Sequence, residues 1–143
     1  MGTSIPRTRC RVLVVDDNED AALSLAMMLD VMGYEVRTAY DGLEAVKAAD
    51  EFRPEAALLD IGLPTLSGYD IARHIRGNRG DEVLLVAITG WGTEEDVKRS
   101  QEAGFDHHFT KPIDLNALEG FINRLCRLLS RTNDNAWSTG GTS

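Results

Sequence analysis

The sequence is short of several things, and each shortage closes a door. Cysteine appears twice, as Cys10 and Cys126, far apart and with no C-x-x-C pairing. Nothing in that usage calls for an oxidising compartment. The expectation is two small thiols, buried or half-buried, with no redox chemistry. Basic residues are outnumbered, fifteen against 23 acidic, for a net charge of −8. That balance opposes a broad nucleic-acid surface, so no nucleic-acid partner is expected. No apolar run approaches bilayer-spanning length, so no membrane is expected either. The segment "RVLVV" is too short for a signal-peptide core and runs directly into "DDNED". Pro6 stands where a myristoylation signal needs Ser or Thr. A cytoplasmic protein follows as the expectation. No internal repeat appears, and 143 residues suffice for one domain with one core.

Against those absences stands a regular alternation. Five short apolar segments, at 11–15, 34–40, 56–60, 83–89 and 107–110, alternate with five helical patterns. Three of the five are nearly continuous apolar runs, as expected of parallel strands covered on both faces. The alternation predicts right-handed βαβ units and an α/β doubly wound sheet. The first helix, over about 19–32, sets Leu25, Met28, Leu29 and Met32 on one buried face. The second begins after an N-cap at Asp41 and turns Leu43 and Val46 inward. The third, about 68–76, uses Ile71, Ala72 and Ile75. The fourth, 93–103, offers only Val97 and Ala103 to a core and is expected to be weakly anchored. The fifth starts at an N-cap, Asp114, and runs through Leu115, Leu118, Ile122, Leu125 and Leu129, with Phe121 and Leu128 widening its apolar face. Residues 1–9 and 131–143 read as polar tails around a domain at 10–130.

In an open α/β sheet, functional groups gather at the carboxyl ends of the strands. The first strand ends in Asp16 and Asp17, the third in Asp60 and the fourth in Thr89, while Lys111-Pro112 follows the fifth. Three carboxylates crowded together raise one another's pKa, and a charge at the rim of an apolar sheet costs free energy. A hard divalent cation such as Mg²⁺, with Lys111, balances the three negative charges. Phosphoryl transfer is largely positioning and charge neutralisation, and a carboxylate can serve as its nucleophile. Asp60 is the natural nucleophile, Lys111 the cation for incoming phosphoryl oxygens, and Thr89 a hydroxyl partner. Asp16 and Asp17 hold the metal.

The blocks "VLVVDDNED", "LLDIGLPTLSGYD", "AITG" and "FTKPID" come in an order and spacing that resemble the receiver domain of two-component response regulators. The resemblance implies a flavodoxin-like (βα)5 fold with strand order 2-1-3-4-5. It implies that Asp60 accepts a phosphoryl group from a phosphohistidine on a histidine kinase or a histidine phosphotransfer domain. It makes Asp17 a direct Mg²⁺ ligand, Asp16 a ligand through water, and the Gly62 carbonyl a further ligand. Thr89 and Lys111 match the family's switch hydroxyl and lysine, and Lys111–Pro112 resembles a peptide that is cis in receivers. The implied output is a switch on the face of the fourth helix, fifth strand and fifth helix, with a possible homodimer there. The chain would be a freestanding regulator or part of a hybrid kinase, and no enzyme beyond its own phosphorylation and dephosphorylation.

Some positions depart from the pattern. His108 stands where receivers carry Tyr or Phe, Gly62 lacks a side chain two residues after Asp60, and bulky Trp91 lies two residues after Thr89. Trp91 is expected to report on the site and to shield it from water. Adjacent strand residues point to opposite faces, so His107 and His108 are not expected to chelate one ion. His74 is expected to be solvated. A flavin electron carrier would need a Ser/Thr/Gly-rich phosphate cradle after the first strand, where acidic "DDNED" stands instead. An aspartate-nucleophile phosphohydrolase would want D-x-D there, and position 18 is Asn.

Overall fold

A computed structural model describes residues 10–62, 67–80, 83–90 and 93–124, with Arg79 described by its backbone alone. The expected tails, Cys126, Trp91 and the helical positions Leu125, Leu128 and Leu129 lie outside the described residues. The chain divides into two compact units, Arg9–Ile113 and a second comprising Met1–Thr8 with Asp114–Ser143.

The first unit holds β1 (Arg11–Val15), α1 (Glu19–Val31), β2 (Glu35–Ala39), α2 (Gly42–Phe52), β3 (Ala56–Asp60), α3 (Gly68–Arg79), β4 (Leu84–Thr89), α4 (Glu94–Ala103) and β5 (His107–Thr110). All five strands are parallel, in the order β2-β1-β3-β4-β5. The continuous apolar runs are buried on both faces. Leu13, Val15, Ala57, Leu59, Leu85 and Ala87 join one core cluster with residues of α2 and α3. The alternating Val12, Val14, Leu58, Val86 and Ile88 are equally buried on the opposite face. Helix α1 packs along β1 and β2.

Several helix faces differ from expectation. Helix α1 buries Ala22, Leu25 and Leu29, while Met28 and Met32 are only half-buried. A second apolar row, Leu23, Met27 and Val31, is exposed. In α2 the N-cap at Asp41 accepts from the Glu44 N–H, but Leu43 is 72% exposed. The face that packs is Gly42, Ala45, Ala48 and Ala49, with Val46 against the cluster. Small side chains let this helix approach the sheet closely, so size did not mark the buried face. Helix α3 starts at a Ser67 cap and buries Ile71, Ala72 and Ile75 fully. Helix α4 buries Ser100 and Ala103, and Val97 is half-buried. Cys10 is buried and disulfide-bonded, which corrects the expected free thiol.

In the second unit the described residues form α5, helical over 115–124. Its N-cap is Asp114, whose Oδ1 accepts from the backbone N–H groups of Asn116 and Ala117. Leu118 and Ile122 are fully buried, Phe121 is half-buried, and Leu115, expected inside, is 50% exposed.

Two contacts outside the expected site organise α3. A Cβ on Gly68 would sit 2.6 Å from the Ile61 Cα and 3.0 Å from the Asp60 carbonyl oxygen. The helix therefore begins pressed against the peptide that follows Asp60, and only glycine permits it. Gly68→Ala is expected to cost about 1–3 kcal/mol through this overpacking. It should also slow any reaction at Asp60, which a urea melt and a phosphorylation time course would reveal together. Farther along, the Arg76 guanidinium donates to the carbonyls of Gly80 (2.7 Å), Val83 (2.9 Å) and Gly104 (2.5 Å), and to the Asp106 carboxylate (2.9 Å).

Candidate functional site

The rim at the carboxyl ends of β1 and β3 is built by the ladder itself. Val15 pairs with Leu59, so Asp16 and Asp60 emerge side by side one residue later. The Asp16 N–H donates to the Ala39 carbonyl at 3.1 Å, and the Ile61 N–H to the Ile88 carbonyl at 3.1 Å. Both loops are thereby pinned to the strands next to them. Asp16 is 8% exposed and Asp60 6%, whereas Asp17 is exposed. One carboxylate oxygen from each of Asp16, Asp17 and Asp60 lies within 4.8 Å of the others.

The lysine reaches this cluster from the far edge of the sheet. The Lys111 N–H donates to the Thr89 carbonyl at 2.7 Å, so the loop after β5 hangs from the end of β4. The Lys111–Pro112 peptide is cis. From there the ammonium donates to Asp60 Oδ2 at 3.1 Å and lies 3.7 Å from Asp16 Oδ2. The other Asp60 oxygen, Oδ1, accepts the Gly62 N–H at 2.9 Å. Thr89 is 3% exposed at the end of β4, one residue beyond the Asp60–Ile88 pair.

The charges shape one another. Burial raises the Asp16 pKa above its ordinary value; the Asn18 N–H pulls the other way and nearby Asp60 adds to the rise. Burial works against the Lys111 charge, but the hydrogen bond and charge of Asp60, with Asp16 and Asp17, outweigh it and raise the pKa. An added proton or a metal cation is what this cluster favours. Three hard oxygen donors so closely spaced suit Mg²⁺. Among the described residues no other group of three or more acidic, His or Cys side chains is so arranged.

Six of the eight singled-out residues, Asp16, Asp17, Asp60, Gly62, Thr89 and Lys111, thus share one end of the sheet. Trp91 lies outside the described residues. His108 stands apart, its Nε2 buried with no hydrogen-bond partner among the described residues. It lines a groove of about 280 Å³ between α4 and β5, with Val97, Ser100, Gln101, Phe105 and His107. His107 has its pKa lowered by burial and by His108. His74, expected to be solvated, sits 3.2 Å from Asp50 across α2 and α3. Sequence reasoning missed Gly68, Arg76 and Asn18; for Asn18 a signal existed, since Asn directly before two acids at a helix start is a capping signature.

The response regulator receiver domain family matches residues 12–123. The chain belongs to that family. Among curated proteins it is 38% identical over 135 residues to the transcriptional regulatory protein PrrA of Mycobacterium bovis, covering 94% of this chain and 56% of PrrA. It is 36% identical over 122 residues to the response regulator MprA of Mycobacterium tuberculosis, covering 85% of this chain and 51% of MprA. The chain thus spans about half the length of these relatives. Among solved structures, a CheY-like receiver domain protein from Methanospirillum hungatei superposes with a TM-score of 0.80 at 26% identity, covering 87% of this chain and 98% of that one. The receiver domain of the Pseudomonas aeruginosa sensor histidine kinase PA1611, with a magnesium ion coordinated in its active site cleft, gives 0.74 at 30%, covering 82% and 98%. The receiver family accounts for the strand order and for the acidic pocket at the sheet end. No described helix is long and apolar enough to cross a membrane.

Proposed function

We propose that this receiver domain takes a phosphoryl group from a phosphohistidine onto Asp60 in the presence of Mg²⁺. The observation that carries the reading is the 3.1 Å contact of Lys111 with a buried Asp60 carboxylate, beside Asp16 and Asp17. Asp16, Asp17, Asp60 and the Gly62 carbonyl would hold the cation, which when bound offsets negative charge on the transferring group. Asp60 forms the new O–P bond as the P–N bond to the donor imidazole breaks and the imidazole nitrogen keeps its electron pair. Lys111, held at the edge of the site by the Thr89 carbonyl, moves its charge-assisted hydrogen bonds to the phosphoryl oxygens. Thr89 supplies a hydroxyl on the same side. Water then returns the carboxylate by hydrolysing the acyl phosphate, and Gly62 offers no side chain to position that water. The partner is a histidine kinase or a phosphotransfer domain. The exposed row Leu23, Met27 and Val31, on the helix that starts at the acidic loop, is the apolar surface it would meet.

Acetyl phosphate with Mg²⁺ should raise the intact mass by one phosphoryl group, and a chelator should prevent it. A gain that ignores the chelator would sink the metal's role, and no gain would sink the reading. The switching part has its own test. Helix α4 buries only Ser100 and Ala103, and the α4–β5 groove leaves space beside it. Hydrogen exchange with and without beryllofluoride should therefore change more in α4 and at the end of β5 than in α1. Equal changes in all three would discard it.

A further inference from the structure

We infer that Asn18 is a positioning residue for the metal-binding carboxylate of Asp16, an inference that rests on the proposed Mg²⁺ site. Three polar groups of this one residue are committed at once. Its side-chain Oδ1 accepts the Ala21 N–H at 3.1 Å and so caps α1. Its carbonyl accepts the Ala22 N–H at 3.0 Å, the first rung of the helix ladder. Its own N–H donates to Asp16 Oδ1 at 2.9 Å.

These commitments are linked through the backbone. A capping side chain requires extended dihedrals at the cap, and Asn18 has φ −85° and ψ 106°. That conformation turns its N–H back toward the preceding loop, where Asp16 Oδ1 receives it. On the other side, the Asp16 N–H is fixed to the Ala39 carbonyl. The carboxylate thus has one oxygen held by the chain, while Oδ2 lies 3.7 Å from the Lys111 ammonium, and the group as a whole belongs to the three-acid cluster. Without the cap, the N–H loses its fixed direction and Asp16 is free to rotate about its last torsion. It then meets a cation with an orientation it must first select, at a cost in affinity.

A cap alone would stabilise α1 and do nothing to the metal, so the test must separate the two. The whole chain is titrated with Mg²⁺ by calorimetry, and each variant is melted in parallel. Asn18→Ala should weaken Mg²⁺ binding by about tenfold, the low end of what removing such supporting contacts does. Asn18→Ser, which can still cap, should recover wild-type binding to within about twofold. Thr93→Ala removes the cap of α4, whose hydroxyl accepts the Asp96 N–H. It should lower the melting temperature and leave Mg²⁺ affinity unchanged. Asn18→Ala binding Mg²⁺ like wild type, or Asn18→Ser failing as Asn18→Ala does, overturns the inference while leaving the metal site standing. A wild-type chain that takes up no Mg²⁺ overturns the site and the inference together.

Discussion

Asp60→Asn is expected to abolish phosphoryl transfer from acetyl phosphate while leaving the domain folded. The two side chains have the same shape, so the packing around a position that is 6% exposed is undisturbed. What changes is the chemistry. An amide oxygen is a poor nucleophile, and the carboxylate's two oxygens both accept hydrogen bonds here, one from Gly62 N–H and one from Lys111. The amide can satisfy only one of those donors, because its other end is itself an NH₂. Whichever way it turns, a donor faces a donor. The mass gain seen in the wild type should vanish, and the melting temperature should move by only a few degrees. A variant that still gains a phosphoryl group would place the acceptor elsewhere. Lys111→Gln should lie between: Asp60 keeps its nucleophilic oxygen but loses the cation, so transfer is slowed rather than lost.

Arg76→Ala should lower stability by roughly 3 kcal/mol, a large loss for one side chain so far from the site. The guanidinium collects the carbonyl left open where α3 ends (Gly80), the carbonyl just before β4 (Val83), and the C-cap of α4 (Gly104). It also meets Asp106, whose Oδ2 accepts the Leu85 N–H. Removing the side chain takes the charge partner from half-exposed Asp106 and leaves the part-buried carbonyls of Val83 and Gly104 without this donor at the sheet's amino end. Gly104, with φ +103°, packs directly on Arg76, so its turn loses support as well. The Asp60 site lies at the opposite end of the strands. Urea melts should therefore show a lower midpoint, and the folded protein should still take one phosphoryl group per chain. A midpoint within experimental scatter of wild type would show that water substitutes for the guanidinium at little cost.

The strand ends were legible because parallel strands buried on both faces write themselves as unbroken apolar runs. Where such a run stops at Asp, Thr or the Lys-Pro pair, the rim of the sheet is being read directly. That is why Asp16, Asp60, Thr89 and Lys111 could be assembled from order alone. Helix faces were less legible, since the packing row of α2 is glycine and alanine, and the larger Leu43 drew the reading one position out of phase. Leu115 misled for a similar reason, sitting in a first turn before the buried row at Leu118 and Ile122. Arg76 carries no sequence signal at all. Its partners are mostly backbone carbonyls, and any residue supplies those. The disulfide at Cys10 was equally hidden, because burial and pairing look alike in a chain with so few cysteines.

The lysine's arrival from the edge strand gives the pocket a history. Synthesis runs from the amino end, so the acids of β1 and β3 emerge first and share a central ladder, mutually repelling and with no ammonium among them. Lys111, 51 residues after Asp60, leaves the ribosome only after α3, β4, α4 and β5 have all been made. Until β5 pairs with β4, the three acids stand without the ammonium that offsets them in the finished domain. Charge balance in the pocket thus comes only with completion of the sheet, since the compensating ammonium is carried just past its last strand.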